Sequence, residues 1–109
     1  MDIKNKYKQV FETENVMIFG LPQTKIKKVA SFCGSGLSET EIDSLVDVDL
    51  FVSADIKHHV ILHALEKGKC VMNLSHYKSE VYGFKKFYEE IKQKLSGLNC
   101  VFYENAYML

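Results

Sequence analysis

Short apolar runs recur along the chain, and a helix-length segment separates each from the next. No other feature constrains the fold as much. Ile26 to Cys33, Asp49 to Ala54, Cys70 to Leu74 and Asn99 to Tyr103 read as strands. The second is a short apolar run, long enough for a buried parallel strand. Between them, Ser38-Glu39-Thr40-Glu41 is a capping box opening a short helix to about Val46. Asp55 stands at an N-cap position, and Lys57 to Lys67 carries Val60, Ile61, Ala64 and Leu65 on one face, with Gly68 as its stop. Ser79 or Glu80 through Leu95 is the longest helix; its stripe of Phe84, Phe87, Tyr88, Ile91 and Leu95 reads as core packing, and Gly97 ends it. Strand–helix repetition requires right-handed crossovers and a mostly parallel sheet covered on both faces. The opening is ambiguous: Tyr7 to Phe11 and Val16 to Gly20 fit a strand pair, or a helix followed by a strand, before a turn at Pro22. The expectation is one α/β domain over residues 1–109, a layered α/β sandwich.

Composition narrows the function. A chain of 109 residues suits one domain and buries a real core. All 14 basic residues are lysine, against 5 Asp and 9 Glu, so the formal net charge is zero. Without arginine, sites built on a bidentate clamp of phosphate or guanine are excluded. Neutrality removes any global attraction to nucleic acid or anionic membrane, so neither is an expected partner. The longest apolar stretch, Val16 to Leu21, falls far short of the roughly 20 residues that span a bilayer. Cys33, Cys70 and Cys100 form no CxxC pair, and their odd number fits reduced thiols rather than a disulfide framework. Met1-Asp2-Ile3-Lys4 is followed by no apolar h-region. A cytoplasmic protein is expected.

Ligands of open α/β sheets gather at the carboxyl ends of the strands. Three polar clusters fall there: Cys33-Gly34-Ser35-Gly36, Asp55-Ile56-Lys57-His58-His59, and Ser75-His76-Tyr77-Lys78-Ser79-Glu80. The HxxxE spacing of His76 and Glu80 puts an imidazole and a carboxylate one helical turn apart, able to share a divalent cation. The plainer reading is a loop histidine and a helix-start carboxylate. Asp55 can orient a ligand histidine or act as a base, and equally can cap a helix. His59 and His63 share a helix face, most simply as surface residues. Gly34-Ser35-Gly36 can present amides to an anion or simply turn the chain; neither a P-loop nor a phosphatase loop is present.

Taken together, these motifs resemble the C-terminal half of the GTP cyclohydrolase 1 type 2 homologue family, the Ngg-interacting factor three-like proteins. Ile26-Lys27-Lys28-Val29-Ala30 leading to Cys33-Gly34-Ser35-Gly36 is similar to the family's I-x-x-V-A-x-C-G-G-S-G. Ser53 to His59 resembles T-G-D-I-K-Y-H, and Leu74 to Glu80 resembles A-G-H-Y-x-T-E. The resemblance spans roughly residues 16–104, leaving residues 1–15 as a linking remnant. It implies half of a two-part fold and a dinuclear, hydrolase-like metal site. His76 and Glu80 would be ligands for divalent ions such as Zn, Mn or Fe. Asp55 would be a catalytic group beside the metals, with Gly34, Ser35, Gly36, Lys57 and His59 lining the site. The family's other ligands, a His-His pair and an aspartate, belong to its N-terminal half, the implied partner within a homo-oligomer. The substrate is unspecified. The absent N-terminal half leads to the expectation of a fragment or the product of a split gene. The alternative is a non-catalytic interaction or oligomerisation module with a vestigial site.

Overall fold

The second and third apolar runs sit at the centre of the sheet. In this computed structural model, which describes residues 2–32, 34–105 and 108, they are β3 (Leu50–Ala54) and β4 (Cys70–Leu74). They pair in parallel from Leu50 opposite Cys70 to Ala54 opposite Leu74. Strand β2 (Val29–Ser31) runs parallel on the far side of β3, and β1 (Val16–Phe19) closes the other edge antiparallel to β4, giving the order β1-β4-β3-β2. The sheet is therefore mostly parallel, as the strand–helix alternation predicts. Helices α1 (Asp2–Val10), α2 (Glu39–Ser44), α3 (His58–Glu66) and α4 (His76–Lys94) complete the chain. No helix among the described residues is long and apolar enough to cross a membrane.

Because strand side chains alternate, β3 feeds two cores. Phe51, with Val71 of β4, packs on Ile42, Val60 and Ala64 from α2 and α3. Leu50 and Val52, with Cys70, Met72 and Leu74, face Val16 and the α1 residues Ile3 and Tyr7. The opening segment thus resolves as helix then strand, with α1 covering the second face.

Four local expectations need correcting. Strand β2 is shorter than the run 26–33, because the Lys27 and Lys28 amides donate to the Asp49 carboxylate, at 2.8 and 3.0 Å, instead of a ladder. Residues 99–103 form no strand; the chain there lies against α4, with the Tyr88 hydroxyl donating to the Cys100 carbonyl at 3.1 Å and the Asn105 amide to Tyr77 Oη at 2.7 Å. Helix α4 starts at His76 rather than residue 79 or 80, since the Ser75 hydroxyl caps it by accepting from the Lys78 amide. Its aromatic stripe is not core: no α4 residue is buried, and Phe84 and Phe87 are 65% and 50% exposed. Cys70 is buried and Cys100 half-buried, both as free thiols, while Cys33 lies outside the described residues.

Candidate functional site

The carboxyl ends of β2, β3 and β4 deliver one residue each to a common point. After β2, Gly34 takes left-handed backbone (φ +64°), and its carbonyl accepts from both Ser53 Oγ and the Ala54 amide at 2.8 Å. After β3, Asp55 is also left-handed (φ +49°), a conformation non-glycine residues rarely adopt. Asp55 therefore does not cap α3; Lys57 holds that position, without a side-chain hydrogen bond. The turn is fixed instead by Asn73, whose Oδ1 accepts from the Ile56 amide at 3.1 Å. After β4, the Ser75 cap makes His76 the first residue of α4, with Glu80 one turn on.

This geometry aims three side chains at one another. His76 Nδ1 meets Asp55 Oδ2, and His76 Nε2 meets Glu80 Oε1. The Asp55 hydrogen bond raises the imidazole above its ordinary pKa; partial burial opposes this, and the Glu80 charge reinforces it. With Nδ1–H donating to the Asp55 carboxylate, a neutral imidazole turns its Nε2 lone pair to the Glu80 carboxylate, and such a contact is held by a proton or a cation. Gly34 leaves the space this requires: a Cβ there would lie 3.2 Å from His76 Nε2 and 3.1 Å from Glu80 Oε1. One imidazole nitrogen and one carboxylate oxygen, with a carboxylate behind the imidazole, fit half the ligand set of a divalent ion. Among the described residues no group of three such side chains is gathered to hold one.

Two cavities flank this pair. On the Asp55 side, about 620 Å³ is lined by Ser35, Lys57 and His59 together with Ser38, Glu39 and Thr40. On the α4 side, about 670 Å³ is lined by His76, Glu80 and aromatic groups including Phe84, Phe87 and Phe102. Gly36 sits elsewhere, backed onto Phe32, whose Cβ would be 3.2 Å from a Cβ at that position. Two supports escaped sequence reasoning, Ser53 and Asn73, which brace the turns from within the strands. Their only sequence signal is a polar residue inside an apolar run. Also missed was the grouping of Glu39 and Asp43 with His59 and His63, signalled by two i, i+4 pairs on consecutive helices.

Comparison with known proteins gives a consistent picture. The family model described as Duf34/NIF3 (NGG1p interacting factor 3) matches residues 1–107. A protein of Methanocaldococcus jannaschii named GTP cyclohydrolase 1 type 2 homolog is 38% identical over 69 residues, covering 62% of this chain and 28% of that protein. Its namesake from Archaeoglobus fulgidus is 30% identical over 86 residues, covering 79% and 35%. Among solved structures, reduced HcgD from Methanocaldococcus jannaschii matches with TM-score 0.71 and 26% identity, over 87% of this chain and 39% of that one. TTHA1606 from Thermus thermophilus matches with TM-score 0.68 and 28% identity, over 96% and 41%. The chain spans about a third of the length of the curated relatives it matches.

Proposed function

The chain belongs to the Duf34/NIF3 family, and from that premise we propose that it is the C-terminal, metal-site half of a dinuclear hydrolase-like protein. The observation that carries this reading is the Asp55–His76–Glu80 array with side-chain-free Gly34 against it. His76 Nε2 and Glu80 would hold a divalent ion such as Zn, Mn or Fe. Bound there, the ion supplies Lewis acidity toward an electrophile. The chain's own residues do the rest. Asp55 fixes the tautomer and direction of His76, and it lines the polar cavity, where it can take up or return a proton. Lys57 and His59 line the same cavity and orient a polar substrate; the backbone at Gly34, braced by Ser53, keeps the approach to His76 and Glu80 open. The remaining ligands come from an N-terminal half, within a cytoplasmic homo-oligomer. The share of each relative left unmatched is large enough to supply them.

Zn²⁺ titration by calorimetry tests the site. A chain carrying His76→Ala and Glu80→Gln should lose one binding event relative to the parent; the same number of events in both overturns the ligand assignment. Mixing with the N-terminal half should then raise metal content and yield turnover, and Asp55→Asn should lower turnover in that mixture.

A second reading has an observation of its own. The exposed aromatics of α4 favour an interaction or oligomerisation module with a vestigial site. Absence of turnover in a mixture that nevertheless assembles would favour it.

A further inference from the structure

Away from His76, helices α2 and α3 oppose two i, i+4 pairs: Glu39 and Asp43 on the first, His59 and His63 on the second. His63 Nε2 lies 2.7 Å from Asp43 Oδ1, a full hydrogen bond that fixes the tautomer and turns Nδ1 toward Glu39. Nδ1 is 3.6 Å from Glu39 Oε2, and His59 Nε2 is 3.4 Å from Glu39 Oε1. These two separations are too long for good hydrogen bonds. Each imidazole faces its own Glu39 oxygen, at a separation near the roughly 3.4 Å between neighbouring ligand atoms around a tetrahedral ion with bonds of about 2.1 Å. A histidine pair at i, i+4 presents both imidazoles on one helix face, the spacing by which helical zinc motifs hold their ion.

We infer that Glu39, His59 and His63 form a second divalent-metal site, of the imidazole–carboxylate class that takes Zn²⁺, with Asp43 orienting His63 from behind. Among the described residues no three donors yet enclose one point. Closing the set would take a rotation of the His59 side chain, which is 63% exposed. The competing cation is Lys67, whose Nζ is 3.9 Å from Asp43 Oδ1. Asp43 is not a ligand, so Lys67 leaves the three donors available. The bound ion would tie α2 to α3 beside the polar cavity that Glu39 and His59 line.

The test uses the full chain and Zn²⁺ alone. In the His76→Ala, Glu80→Gln background, one Zn²⁺ should still bind, and adding His63→Ala should abolish it. Adding Asp43→Asn instead should weaken it about 10–100-fold. Circular dichroism checks that each variant is folded. If His63→Ala unfolds, His59→Ala makes the same test at a more exposed position. No Zn²⁺ binding in the folded background protein overturns the inference, as does binding indifferent to both histidine replacements. If instead the parent and the background bind equally and His63→Ala removes that binding, this site stands and the His76–Glu80 assignment falls.

Discussion

Gly34 and Gly68 both hold left-handed backbone, at φ +64° and +73°, but their surroundings differ. A Cβ on Gly68 would meet nothing within 4 Å, whereas one on Gly34 would press on Glu80 Oε1 and His76 Nε2. Replacing Gly68 by Ala should therefore cost only the left-handed penalty, about 1–2 kcal/mol. Gly34→Ala should cost at least as much and, in addition, weaken Zn²⁺ binding by pushing the pair apart. Urea unfolding of both variants with metal titration of each checks this; unchanged Zn²⁺ binding in Gly34→Ala would separate Gly34 from the site. At this scale the sequence was informative about chemistry and poor on backbone. The HxxxE spacing alone brings His76 and Glu80 together once the segment is helical. Asp55 looks the same in sequence whether it caps a helix or adopts left-handed backbone. Only the fold turns its carboxylate onto His76, because Asn73 claims the Ile56 amide and fixes the turn.

Strand β2 owes its entry to a single carboxylate on the loop before β3. Asp49 accepts from the Lys27 and Lys28 amides, and its own backbone donates to the Lys28 carbonyl at 2.9 Å and accepts from the Cys70 amide at 2.9 Å. One residue thus ties the starts of β2, β3 and β4. Those two side-chain hydrogen bonds hold the Asp49 carboxyl below its ordinary pKa, against a smaller opposing effect of burial. A carboxyl whose folded pKa is depressed stabilises the fold above its unfolded value, near 3.9, and that stability is lost as pH falls through the folded value. Asp49→Asn should therefore be less stable than the parent at neutral pH. The gap should shrink as the pH falls below about 4. Urea midpoints at several pH values measure it, and a gap constant from pH 7 to pH 3 would dissociate the Asp49 charge from strand tethering. Legibility of the elements follows the same logic of backbone partners. Strands β3 and β4 were readable because continuous apolar runs have few alternatives to the sheet centre. Residues 99–103 carry an apolar run too, yet its backbone is engaged by Tyr88, and Asn105 just beyond it by Tyr77. Hydropathy does not encode which partner a backbone will find.

Over the whole molecule, the buried core and the exposed aromatic side chains are segregated. The extents are 54 × 27 × 24 Å and the radius of gyration is 16.2 Å, against about 13 Å for a compact chain of this size. The fully buried side chains, led by Phe51, Ile42 and Leu50, belong to the sheet and its covering helices, while α4 buries none. An amphipathic period identifies which face of a helix seeks cover without saying what supplies it, which is why the α4 stripe reads as core in sequence and stands exposed in the fold. Phe84 does touch Phe87 and Phe102, with ring centroids 6.3 and 5.9 Å apart, so the face is weakly consolidated rather than bare. These contacts set the scale of the expected effect. Replacing Phe84 and Phe87 together by Ser, a residue of similar helix propensity, should cost no more than about 1.5 kcal/mol. Phe51→Ala, which empties the centre of the α2–α3 core, should cost about 3–5 kcal/mol. Denaturant unfolding of the two variants at low protein concentration makes the comparison. If the serine pair proves as damaging as Phe51→Ala, the α4 face is packed against something in solution, and the division between a stable sheet layer and an exposed helix fails.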